Sequence, residues 1–338
     1  MTRKLFIKIL LAAAFAQSIF LSSCSTDVDL LEPYKPITIV YGLLNINDNT
    51  QYIKINKAFL GEGDALIMAQ QSDSINYQPG DLDVYLQKQG DANLITCFDT
   101  TGIAKDDGTF SNPYQLLFYT NTVIDASSKY NLIIHRHTDG AVINAETKIV
   151  GTVDITIPSS PISQINLFNA ASQTYSTQNI KWKPGANAKI YNVVVRFTYY
   201  ETLINPPGTT DTVRLDYNLG NIVMDDIFST QEQQLQLQGE QYFNFIGTSI
   251  SSNSNVNSVT RIENDSLEII VTAGAEDLYT YILVNEPSIG LIQEKPEYTN
   301  INNGVGIFSS RWKRTLKNKM HVNTINELRN GPFTGQYF

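Results

Sequence analysis

Of the two cysteines in the chain, Cys24 sits in the more reactive setting. It ends the run Leu21, Ser22, Ser23, Cys24 behind an apolar stretch at 9–20, and this pattern reads as a lipobox. Small side chains there admit a lipoprotein signal peptidase to the bond between Ser23 and Cys24, and the Cys24 sulfur takes a diacylglycerol. Arg3, Lys4 and Lys8 supply the basic start of an export signal at 1–23. The apolar run is too short for a spanning helix, which needs about 20 residues. The expectation is a chain lipidated at Cys24 and held to a membrane by acyl chains.

Other chemistry-bearing residues are sparse. His135, His137 and Asp139 have the opening spacing of a zinc hydrolase site, and both histidines would point to one side of a strand. Gly140 stands where such a site has a further histidine, and His321 is the only other one in the chain. The pair is therefore expected to lie on a polar outer face beside a turn. There is no Gly-x-Ser-x-Gly elbow. The pairs Asp106, Asp107 and Asp225, Asp226 do not extend into the spaced carboxylates of a calcium loop. No catalytic, cofactor or metal residue is assigned, and the chain is read as a non-enzyme.

Charge narrows the partners. The sequence carries 24 basic against 33 acidic residues, and removing the three cations of the signal leaves a net of −12. Nucleic acid recognition needs clustered Lys and Arg and is not expected. The one basic cluster is Arg311, Lys313, Arg314, Lys317 and Lys319, read as a solvated strand with an anionic surface as the alternative. With Cys24 committed to lipid, Cys97 has no disulfide partner and should be a buried, inert thiol. The 18 Tyr and 15 Phe would suit glycan stacking, with Trp182 and Trp312 as further platforms.

The elements that must position these residues are mostly strands. Alternation is clear at 51–57, and Asp139 with Gly140 separates two alternating runs in the manner of a hairpin turn whose central residues both need positive φ. Asp64 is placed to cap a short helix. Tyr242, Phe243, Ile246 and Ile250 share a helical face, as do Ala275, Leu278 and Ile282. Thr324 and Glu327 fit a capping box for a last helix at 323–330, stopped by Gly331 and Pro332. The expected class is mainly β, as two antiparallel β-sandwich modules with a few short helices. The signal occupies 1–23, a lipidated tether 24–36 and a first sandwich 37–157. Prolines 158 and 161 mark a linker into a second module at 158–300, and a basic segment at 301–338 is expected to pack on that module. The early part of the second module, with Trp182 ahead of Tyr191, Val193, Val195, Phe197 and Tyr199, resembles the early strands of a fibronectin type III module.

The lipobox, the segment at 37–61 (ITIVYGLLNINDNTQYIKINKAFLG) and the segment at 297–310 (EYTNINNGVGIFSS) together resemble a family of Bacteroidota outer-membrane lipoproteins classed as a domain of unknown function. The resemblance implies an outer-membrane location, a β-rich two-module body and service to a TonB-dependent uptake or envelope-assembly complex, with a TonB-dependent receptor or a sibling lipoprotein as partner. It carries over no catalytic residue or cofactor. A surface glycan- or peptide-binding lipoprotein is the second expectation, and a zinc hydrolase the third.

Overall fold

The computed structural model describes residues 37–58, 64–204, 208–252, 258–286 and 297–338. Cys24, Ser23, the signal and the tether lie outside the described residues. The first module contains β1 (Thr38–Leu44), β2 (Gln51–Lys57), the short helices α1 (Ala65–Ala69) and α2 (Ser72–Ile75), β3 (Leu82–Lys88), β4 (Leu94–Thr100), β5 (Leu117–Thr120), β6 (Lys129–Arg136) and β7 (Val142–Lys148). The second contains β8 (Asp154–Ile157), β9 (Phe168–Asn169), β10 (Thr174–Tyr175), β11 (Thr177–Lys183), β12 (Ile190–Leu203), β13 (Thr210–Val223), β14 (Gln233–Gln238), α3 (Gly239–Ser251), β15 (Val259–Gly274) and α4 (Glu276–Asn285). The last elements are β16 (Gly304–Lys319) and α5 (Val322–Asn330). The chain is mainly β, as its alternating pattern requires.

Two cores form. Val40, Ile53, Leu86, Leu132 and Phe308 belong to the first, enclosed by a sheet that curls from β1 through β2, β5, β4, β3 and β6 to β7. A backbone bridge from Asn144 on β7 to Asn302, just ahead of β16, brings the two ends of the curl together. Trp182, Tyr191, Phe197, Tyr242 and Trp312 belong to the second core. There β8, β11 and β14 face the run β13, β12, β15, β16, a three-on-four antiparallel sandwich. Trp182 on β11 lies 5.5 Å from the Tyr191 ring on β12, the contact expected between those strands. Tyr191 also accepts a hydrogen bond from the Gly185 N–H at 3.0 Å.

β16 joins the modules. Its residues 304–310 run parallel to β1, and residues 311–319 run antiparallel to β15, so one 11-stranded sheet crosses both cores. Sixteen extended residues reach about 53 Å at roughly 3.3 Å each, enough for both. A parallel pair needs a long crossover, and here it takes in the rest of the first module and the second sandwich. Phe308 enters the first core and Trp312 the second. Between them, the Ser310 hydroxyl donates to the Leu44 carbonyl and accepts from the Val150 N–H, both at 2.9 Å.

Several sequence expectations are corrected here. The segment 301–338 does not pack on the second module alone, because the first half of β16 is a strand of the first. The module boundary lies near 149–153 rather than at 157: Ile149 is in the first core, Val150 and Val153 are in the second, and β8 already pairs with β11. Pro158 follows an edge strand, where a missing N–H costs no ladder bond. At the β6–β7 turn only Gly140 has positive φ, at 70°. Asp139 instead clamps Arg136, accepting from its Nε at 2.8 Å and its Nη2 at 2.6 Å. The last helix is capped by His321, whose Nδ1 accepts from the Asn323 N–H. Thr324 is inside that helix and holds the Leu167 N–H at 2.8 Å, so the capping box does not form. The expected face of α4 is not buried: Ile282 is exposed and only Ala275, at the cap, is enclosed. The Asp64 cap and the buried face of α3 appear as expected.

Candidate functional site

The described surface most suited to binding is the outer face of the first sheet. On β1 and β2, alternation buries Val40, Ile53 and Ile55 and turns Ile39, Tyr41, Tyr52, Lys54 and Asn56 outward. The neighbouring strands continue the outer row. Tyr119 on β5 is directly opposite both Tyr52 on β2 and Phe98 on β4. Ring centroids stand 6.3 Å apart for Tyr52 and Tyr119 and 6.2 Å apart for Phe98 and Tyr119. Phe98 is 60% exposed and Tyr52 44%. These are three adjacent aromatic side chains, with rings largely in water at two of them. Burying such rings against a partner is worth more than burying any polar neighbour.

Farther along the same face, Tyr41 stands between two cavities. One, of about 350 Å³, is bordered by Tyr41, Tyr281, Asn285, Tyr298 and Val305 under α4. Tyr281 meets Tyr41 edge-on at 6.5 Å, and the Tyr298 hydroxyl donates to Asp277 at 2.6 Å. The other, of about 480 Å³, lies between β1, β2, the end of α2 and the connection from β4 to β5.

The residues singled out from the sequence fall elsewhere. Trp182 and Trp312 are 0% and 1% exposed, so neither is a stacking platform; on the outer face of the first sheet the exposed rings are Phe98, Tyr52 and Tyr41. Sequence alternation puts both tryptophans on one face of a strand but does not say which face is wet. His137 is held by the Gly80 carbonyl at its Nδ1 (2.8 Å) and by the Asp83 carboxylate at its Nε2 (2.9 Å). The Asp83 contact, then the Gly80 contact, raises its pKa above the ordinary imidazole value. His135 packs edge-on against Tyr85 at 6.1 Å. Among the described residues no group of three or more His, Cys, Asp or Glu side chains could hold a metal.

Cys97 is buried, and desolvation pushes its thiol up to about 12, so it is not a nucleophile at neutral pH. In the basic segment Lys319 meets Asp265 at 3.4 Å, and Lys317 is opposite Glu268. Glu268 in turn approaches Arg196 at 3.8 Å, and Arg196 grips Asp216 at 2.6 Å. Part of the cluster thus completes a row of alternating charge across β13, β12, β15 and β16, the solvated-strand expectation, while Arg311, Lys313 and Arg314 stay exposed.

No family model matches the chain, and no curated protein matches it. Among solved structures it is similar to the C-terminal globular domain of an oligosaccharyltransferase from Pyrococcus abyssi, at 10% identity and a TM-score of 0.23. That likeness covers 74% of this chain and 55% of the other, so the chain spans about half the length of the structure it matches. No helix among the described residues is long and apolar enough to cross a membrane.

Proposed function

We propose that this protein is a lipid-anchored, non-enzymatic component of the outer membrane. It binds a partner through the outer face of its first sheet, as an accessory of a TonB-dependent uptake or envelope-assembly complex. The observation that carries the binding role is the row Phe98, Tyr119, Tyr52, exposed at Phe98 and Tyr52. The lipobox at Cys24 supports the anchoring, and the acidic residues of 25–35 suit a solvated tether between acyl chains and body. The partner reading rests on the family resemblance. Co-purification in mild detergent tests it: the native chain should bring down an outer-membrane protein that a Tyr52→Ser, Phe98→Ser double variant of unchanged fold does not. Equal recovery by both proteins, or none by either, contradicts it.

A second reading, surface glycan binding, is favoured by the same rings. Sugar faces stack on exposed aromatics, and the positions to test are Tyr52 and Phe98. Glycan-array signal lost in each single serine variant would favour this reading over a protein partner.

A further inference from the structure

The 480 Å³ cavity combines apolar walls with basic side chains. Its floor is Ile39 and Tyr41 of β1 with Lys54 and Asn56 of β2, and its far wall is Ile75, Phe110 and Ser111. The wall is fixed in place. Asn56 Nδ2 donates to the Ile75 carbonyl at 2.9 Å and to Asn76 Oδ1 at 3.0 Å, and the Ser111 N–H reaches the Ala69 carbonyl at 2.8 Å. The volume is within the roughly 300–1,000 Å³ range of small-molecule sites.

Three of its lining residues are cations, Lys54, Lys57 and Lys105, and none of the described lining residues is a carboxylate. This is unusual in a chain with a net charge of −9. The two inner ammonium groups are satisfied by neutral acceptors. Lys54 Nζ donates to Gln115 Oε1 at 3.0 Å, and Lys105 Nζ donates to the Phe110 and Ser111 carbonyls at 3.0 and 3.2 Å. Lys105 also stands 5.8 Å from the centre of the Phe110 ring. Burial, and secondarily the charge of Lys105, lowers the Lys54 pKa. Two like charges facing an apolar cleft with no carboxylate among its described lining residues are a cost to the free protein that an anion would relieve.

We infer that this cavity binds a small organic anion, with a carboxylate or phosphate head between Lys54 and Lys105 and an apolar body against Ile39, Tyr41, Ile75 and Phe110. The inference does not depend on the lipid anchor or on the aromatic row. Calorimetric titration of the full chain in detergent, against a detergent blank, tests it with 2-naphthoate, 2-naphthyl phosphate, neutral 2-naphthamide and inorganic phosphate. Both naphthyl anions should bind saturably and at least tenfold more tightly than the amide or inorganic phosphate. Whichever naphthyl anion binds tighter names the head group. Lys54→Met with Lys105→Met should weaken the naphthyl anions at least tenfold while the far-UV spectrum stays native, and Phe110→Ser should weaken them with both lysines intact. Equal binding of the amide and the anions would overturn the inference. So would undiminished binding in a folded double-Met variant, or no saturable binding of either naphthyl anion.

Discussion

His137 shows how a reactive-looking residue becomes a structural one. Its raised pKa comes from contact with Asp83, so the interaction stabilises the fold below the ordinary imidazole value of about 6.5 and fades as pH rises through the raised one. NMR titration should place its midpoint above that of a free imidazole, and Asp83→Asn should bring it back down. Cys97 yields a second expectation. In a Cys24→Ser chain, where it is the only thiol, it should resist a thiol reagent at pH 8 and react on unfolding. Labelling at the rate of a free thiol in the folded chain would contradict its burial. The inert thiol and the Trp182 contact with Tyr191 were legible in the sequence because each follows from local alternation. The Asp139 clamp was not: a bidentate hold on Arg136 depends on where the buried guanidinium lies, and Arg136 also donates to Thr38, 98 residues away, at 2.8 Å.

At the scale of elements, β16 carries the most consequence. Gly306 has φ of 109°, and a Cβ there would stand 2.1 Å from the Val40 carbonyl oxygen. Gly306→Ala should therefore break the parallel pairing with β1 and cost more than about 3 kcal/mol, measured by denaturant unfolding. By comparison, Gly80 also has positive φ, at 87°, but open space around it, and Gly80→Ala should cost about 1 kcal/mol. The strand, turn and helix content of the chain could be read from periodicity. The double duty of β16 could not, because pairing between β1 and a strand some 266 residues later leaves no local signature. Its alternating pattern simply passes from Phe308 to Trp312 without marking the change of core. The early boundary has the same origin: the two prolines are conspicuous, but what assigns β8 to the second module is its pairing with β11.

For the whole molecule, a shared strand and the Ser310 bridge predict that the two cores unfold together. The protein carries its own reporters. Trp182 and Trp312 are both in the second core, and Cys97 is in the first. Tryptophan fluorescence and pulsed labelling of Cys97 should give coincident denaturation curves, whereas separated midpoints would mean independent modules. A body whose two cores are coupled presents the outer face of its first sheet to a partner as one unit. That face, the aromatic row of the first sheet, is the central claim. A photo-crosslinking amino acid placed at position 98 tests it most directly, with position 192 on the polar outer face of the second sandwich as reference. The account predicts a discrete adduct with an envelope component from position 98 and none from position 192. Adducts from 192 alone, or from neither position in intact cells, would contradict it.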